Sequence, residues 1–189
     1  MQKAMPCALF RMKIIILLLS FFAALFSSSS VSAQNNEQPD SIKQILDAHN
    51  TYRFELSLPA LIWSPELAKY AQSWANELSN NRDCQLAHRP RTDTGSWNNP
   101  YFGENIFAGG GTDWVPSIPE AVDTWGEEKK LFDTETKLYK PDGKSGHYTQ
   151  IVWKSTRMVG CATVKCANGL VIVVCNYYPM GNLIGKPVY

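Results

Sequence analysis

The chain has 189 residues, 44% of them hydrophobic and 19% charged, with a formal net charge of +1. Its 18 Lys and Arg are offset by 17 acids and form no block or stripe, which excludes nucleic acid as the main partner. The length suits one domain able to bury a substantial core, with no internal repeat and no long linker.

The N-terminus reads as a targeting segment. Lys3, Arg11 and Lys13 precede the apolar run IIILLLSFFAALF, and Val31-Ser32-Ala33 offers a small-x-small cleavage site before Gln34. This is the order of a secretory signal peptide, with an apolar core too short for a spanning helix. Met12 is an alternative start, and Cys7 lies upstream of the apolar run, outside any lipidation context. Removing residues 1–33 leaves 156 residues with a formal charge of −2, and no second hydrophobic segment. The expected product is a secreted monomer, extracellular or periplasmic, without a membrane span. Residues 34–40, QNNEQPD, form a polar leader expected to be disordered.

SIKQILDAHNTYRFEL predicts a helix capped by Asp40 or Ser41, with Ile42, Ile45, Leu46, His49 and Tyr52/Arg53 along one stripe. Ser64-Pro65-Glu66 supplies a cap, a first-turn proline and an acid at the positive end of a second helix. That helix buries Leu67, Ala71, Trp74, Ala75 and Leu78 and ends near Asn80-Asn81. Cys84 to Gly111 reads as a long irregular stretch, the kind of loop that is functional or disordered. Pro119 opens a third helix, EAVDTWGEEKKLF, followed by a polar loop through Ser145. GHYTQIVW then reads as a short helix, and Met158–Cys166 and Leu170–Tyr177 as two strands. Both strands are apolar at nearly every position, which requires a layer on each face. The fold class is α+β: a three-layer α-β-α sandwich around a small, mainly antiparallel sheet, spanning residues 41–189.

Four cysteines follow the cleavage site, an even number in an exported chain and so two disulfides. If Ala167-Asn168-Gly169 forms a three-residue turn, Cys161 lies opposite Cys175 and Cys166 faces the other side of the sheet, leaving it for Cys84. A two-residue Asn-Gly turn would shift the register by one and undo that pairing. The cysteines lack a paired C-x-x-C pattern, which argues against metal ligation by them.

The three histidines are His49, His88 and His147. His49 falls on the buried stripe of the first helix and reads as a hydrogen-bonded core residue. His88 and His147 lie beside irregular, glycine-bearing segments. Glu104 sits in Gly103-Glu104-Asn105, between residues that allow tight turns. At about 100° per residue, Glu128 falls on the edge of the third helix's apolar stripe while Glu127 points to solvent.

These segments resemble the CAP superfamily, which covers cysteine-rich secretory proteins, antigen 5 and plant pathogenesis-related class-one proteins. The resemblance is carried by His49-Asn50-Thr51-Tyr52-Arg53, Cys84-Gln85-Leu86-Ala87-His88, Gly103-Glu104-Asn105-Ile106 and Trp125-Gly126-Glu127-Glu128. It is completed by Gly146–Thr156 and Val174–Asn182. It implies that His88, Glu104, Glu128 and His147 line one central cleft, and its cysteine pairings are Cys84–Cys166 and Cys161–Cys175. It also implies a zinc or other divalent ion at His88 and His147, and in some members a sterol or fatty-acid ligand. Trp114, Phe132, Leu138 and Tyr139 are the candidates to border a lipid groove. Three departures stand out. The loop TETKLYKPDGKSG lacks the two further cysteines usual in plant members. Tyr178 stands where they carry aspartate, and the chain ends Pro187-Val188-Tyr189, setting it apart from their releasable C-terminal peptide.

The tetrad is read first as a pH-sensitive cleft that orders its loops, with optional metal, in a defence-type binding module. The alternatives are a zinc-dependent protease or esterase with a glutamate as general base, and a module binding an extracellular protein. No catalytic residue is assigned: HExxH spacing is absent and no Ser or Cys nucleophile pairs with a histidine. Ser145, near His147 in sequence, belongs to no triad.

Overall fold

A computed structural model describes residues 39–90, 102–111 and 113–189. The signal segment 1–33, most of the 34–40 leader and part of the Cys84–Gly111 stretch lie outside the described residues. The elements are α1 (Asp40–Phe54), β1 (Ile62–Trp63), α2 (Pro65–Asn81), β2 (Gly103–Gly109), α3 (Ile118–Gly126), α4 (Gly146–Ile151), β3 (Met158–Lys165) and β4 (Val171–Tyr178). A 3-10 turn, Glu127–Leu131, follows α3 directly.

The sheet has the order β1-β3-β4-β2, with β1 parallel to β3 and the other pairs antiparallel. β4 lies between two neighbours and two helical layers, which is why its sequence is apolar without alternation. Ile172 and Val174 face α2, where they pack with Ala71, Trp74, Ala75 and Leu78. Val173, Cys175 and Tyr177 face the opposite layer, with Tyr52, Val122, Trp125 and Ile151. α2 starts hard against β3: a Cβ on Gly160 would lie 2.2 Å from the Ala68 nitrogen.

The β3–β4 hairpin takes the three-residue turn. Cys166 N donates to Leu170 O, Gly169 N donates to Cys166 O, and Gly169 has φ +87°. Cys161 therefore pairs with Cys175 across the ladder, and the bridges are Cys161–Cys175 and Cys84–Cys166. Ser64 caps α2 by accepting from Leu67 N at 3.2 Å.

Three boundaries differ from the sequence reading. α1 begins at Asp40 itself, after Pro39, with no side-chain cap. β2 runs through the stretch read as irregular, so Glu104 lies on a strand and not in a turn. Its glycine and asparagine resemble turn signals, but β2 pairs with β4 from Gly103↔Tyr177 to Gly109↔Val171, and that pairing overrides local propensity. A Cβ on Gly103 would fall 2.1 Å from Gln150 Oε1, so a side chain there would displace the Gln150 amide from Gly181 N. α3 ends at Gly126 and tightens into the 3-10 turn; Tyr52 packs against Gly126, 2.0 Å from a hypothetical Cβ. The 100° phase thus does not extend to Glu127 and Glu128, which lie in the tighter 3-10 turn.

α1 contributes polar groups to the core. Asn50 clamps the Leu61 backbone, donating to its carbonyl at 3.2 Å and accepting from its N–H at 2.7 Å. Arg53 is fully buried and donates to the carbonyls of Pro59, Ile151, Trp153 and Thr156 at 2.8–3.0 Å. Burial pushes its guanidinium down to about 10, still charged at neutral pH. His49 is fully buried between the Ile45 carbonyl (2.8 Å) and the Tyr177 hydroxyl (3.0 Å).

Burial pushes His49 down to about 4, from an ordinary 6.5. Between those values the unfolded chain binds the extra proton, so stability is complete above 6.5 and falls as pH drops, by about 3 kcal/mol in all. Urea unfolding from pH 7 to 4.5 is expected to show this loss in wild type and a shallower slope in His49→Gln; equal slopes would contradict it. A strong reductant should lower the melting temperature, since each bridge contributes about 2–4 kcal/mol. An unchanged melting curve would be inconsistent with the two disulfides.

Candidate functional site

The four sequence candidates come together as two hydrogen-bonded pairs. His88 Nδ1 lies 2.8 Å from Glu104 Oε1, and His147 Nδ1 lies 2.6 Å from Glu128 Oε1. Each carboxylate also takes main-chain N–H groups beside its histidine. Glu104 Oε1 accepts from Arg89 N at 3.0 Å. Glu128 Oε2 accepts from His147 N at 2.9 Å and Tyr148 N at 3.3 Å, at the start of α4. An anion there satisfies open helix N–H groups. Glu127, by contrast, turns to solvent and pairs with Lys130.

His88, Glu104 and His147 line one cleft of about 280 Å³, together with Asn105, Tyr139, Gly143, Gly146 and Asn182. Glu128 is not in that lining; it stands behind His147 and reaches the cleft only through it. A second cavity of about 320 Å³ shares His88, Glu104, Tyr139 and Asn182 and continues past Tyr70, Phe102 and Met180. The two histidines are not equivalent. The His88 side chain is 62% exposed on an irregular segment, whereas His147 is 34% exposed and stacks on Trp125, 5.8 Å between ring centres.

Three asparagines hold the walls. Asn182, at φ +56°, donates to Gly146 O at 2.8 Å and accepts from Thr149 Oγ1 at 2.7 Å. Asn176 Nδ2 reaches Gly103 O at 3.2 Å and Glu104 Oε2 at 3.4 Å. Asn105 Nδ2 donates to His147 O at 3.1 Å. The sequence reading assigned none of them a role, although all three lie within its motifs. Tyr148, Thr149 and Gln150 act in packing and internal hydrogen bonds, Gln150 through Gly181 N and Thr156 Oγ1. Ser145 is buried, and its carbonyl accepts from Thr149 N. Phe132 is core against Tyr148 and Tyr189, Tyr139 borders the cleft, Leu138 pairs with Pro187 and Trp114 is exposed beside Val115.

For a divalent cation, the donor set offers one arrangement, the two imidazole Nε2 atoms. A carboxylate on each Nδ1 fixes the proton there and leaves Nε2 as the lone-pair atom, the second-sphere pattern of histidine metal ligands. The carboxylates themselves are engaged by those imidazoles and by N–H groups. Among the described residues, the one set of three donors within 4.8 Å of one another is His49, Cys161 and Cys175. Its sulfurs are joined to each other as a disulfide, which removes the thiolates a metal needs. An ion in the cleft would therefore rest on the two imidazoles, with water completing its shell.

Residues 46–177 match the CAP, cysteine-rich secretory protein, family. The chain is 38% identical to pathogenesis-related protein 1B of Nicotiana tabacum over 165 residues, covering 87% of this chain and 88% of that protein. It is 37% identical to pathogenesis-related protein 1 of Arabidopsis thaliana over 150 residues, 79% of this chain and 83% of that one. Among solved structures it resembles BmVAL-1 (25% identity, TM-score 0.66, covering 83% of this chain and 85% of that one). It also resembles NaASP2 with Zn2+ (25% identity, TM-score 0.65, covering 82% and 88%). Motifs, α-β-α layers, both disulfides and these similarities agree that the chain belongs to the CAP family.

Proposed function

We propose that the protein is a secreted, defence-type CAP module whose cleft binds a divalent metal ion through Nε2 of His88 and His147. The observation that carries this is the pairing of each Nδ1 with a carboxylate, on two histidines that line one cleft. The pathogenesis-related relatives and the zinc-bearing NaASP2 structure support the reading. Secretion is supported by the signal-type N-terminus and the two disulfides. No helix among the described residues is long and apolar enough to cross a membrane.

The geometry favours binding over hydrolysis. A bound ion supplies Lewis acidity and a site for an oxygen or nitrogen ligand. A hydrolase also needs a base free to take a proton from water. Glu128 accepts three hydrogen bonds and does not line the cleft, and Glu104 accepts from His88, Arg89 N and Asn176. The cleft acts as a preorganised receptor. The adjoining 320 Å³ cavity gives a ligand room beside the ion. A sterol, a fatty acid or an extracellular protein surface remains the class of partner that the family implies.

Calorimetric titration with zinc is expected to show saturable binding that His88→Ala plus His147→Ala removes. Wild-type binding in the double variant would exclude the cleft as the metal site. Protease or esterase activity that requires zinc and disappears in Glu104→Gln would overturn the choice of receptor over hydrolase.

A further inference from the structure

His147 is held at three of its atoms, and only two of those contacts belong to Glu128. The third is its carbonyl oxygen, which accepts from Asn105 Nδ2. That contact continues away from the cleft. Asn105 Nδ2 also reaches the Tyr177 hydroxyl at 3.2 Å, Tyr177 Oη lies 3.0 Å from His49 Nε2, and His49 Nδ1 lies 2.8 Å from the Ile45 carbonyl.

Donor and acceptor chemistry fixes the direction of every link. A carbonyl only accepts, so His49 carries its proton on Nδ1 and its Nε2 accepts. The Tyr177 hydroxyl must then donate to His49, and its oxygen accepts from Asn105. Asn105 therefore turns its amide nitrogen, with two hydrogens, toward both Tyr177 and His147. The three side chains are 0–1% exposed, so water offers no substitute partner. Reversing one link would leave a buried donor facing a donor.

We propose that Asn105, Tyr177 and His49 are positioning residues for His147, setting the direction of its Nε2 from the core side; this rests on the reading of the cleft as a metal site. The need for them lies in α4. It has six residues and no side-chain cap from Ser145, so its first turn takes its orientation from outside contacts. Glu128 grips that turn at the N–H and at the ring, and Asn105 grips it at the carbonyl, so the turn cannot swing about the Glu128 contact. His88 is held differently: its ring meets Glu104, which Arg89 N and Asn176 Nδ2 also hold, but its own side chain is 62% exposed. The metal site thus combines one fixed ligand with one adjustable ligand.

Tyr177→Phe keeps the ring and removes only the hydroxyl. Two quantities are measured on the metal-free and zinc-titrated chain: the zinc dissociation constant and the imidazole 15N resonances of His147 and His88. The expected result is a zinc affinity lower by about tenfold, in the range for lost outer-sphere partners. The His147 imidazole resonances should shift or broaden as the ring loses its fixed orientation, with those of His88 unchanged. Unchanged His147 resonances overturn the proposal, whatever happens to affinity, since an affinity loss alone would report general loosening. Wild-type zinc affinity in the variant overturns it too. If the wild-type chain binds no zinc, the metal reading fails by itself and the His147 resonances alone decide the positioning role. If Tyr177→Phe does not fold, Asn105→Ala removes the last link and is judged by the same two readouts.

Discussion

A buried guanidinium whose hydrogen-bond partners among the described residues are main-chain carbonyls is the constraint on which the rest of this molecule depends. Arg53 reaches from α1 to Pro59, Ile151, Trp153 and Thr156, so one side chain closes the first loop and organises the segment from α4 to β3. A cation is electrostatically suited to the last carbonyls of a helix. The converse is costly: removing it would take the donor from the Pro59 and Ile151 carbonyls in the core, while Trp153 O would keep Thr156 N and Thr156 O would keep Arg157 Nη1. α4 is too short to hold itself, so its C-terminal end is placed by Arg53 as firmly as its N-terminal end is placed by Glu128. The cleft histidine on that helix inherits its position from a residue of α1 that never touches the cleft.

The same logic explains why so many cleft polar groups are already engaged. Glu104 and Glu128 each hold an imidazole and the neighbouring backbone, Asn182 ties α4 to the segment after β4, and Asn176 steadies Glu104. Such a site gives up reactivity for preorganisation. Its remaining free valence is concentrated on the two Nε2 atoms.

What the sequence made legible follows from how local each signal is. Ser64-Pro65-Glu66 announced α2 because capping involves four consecutive residues, and Ala167-Asn168-Gly169 announced a hairpin turn for the same reason, while its register stayed open between a two- and a three-residue turn. His49 read as core from helical spacing alone. Glu104 was picked out, but on a turn, because the pairing of β2 with β4 joins residues some seventy positions apart and leaves no local trace. Glu128 was preferred over Glu127 by a helical phase that does not apply there. Gly126 ends α3 where Tyr52 packs, and the 3-10 turn beyond it presents Glu128 to His147 instead. The roles of Asn105, Asn176 and Asn182 stayed hidden for the same reason as β2: each amide acts across the fold.

The loop before α4 carries no cysteine and is held by hydrogen bonds. Asp133 gathers the loop's start, accepting from Glu135 N, Thr136 N, Thr136 Oγ1 and Lys140 Nζ, and these contacts hold its carboxyl well below the usual range, Lys140 foremost. The loop's second half is stitched to the C-terminal segment. Tyr139 N donates to Lys186 O, Gly185 N to Tyr139 O and Val188 N to Lys137 O, while Leu138 bridges Pro187. Val188 is fully buried and Tyr189 packs on Phe132, so this segment is anchored as core and not as a free tail. Tyr139, a wall shared by both cavities, is thus positioned by the last residues of the chain. A covalent staple would hold that loop at one point, whereas the C-terminal strap holds it along its length and makes the end of the chain part of the cleft's frame.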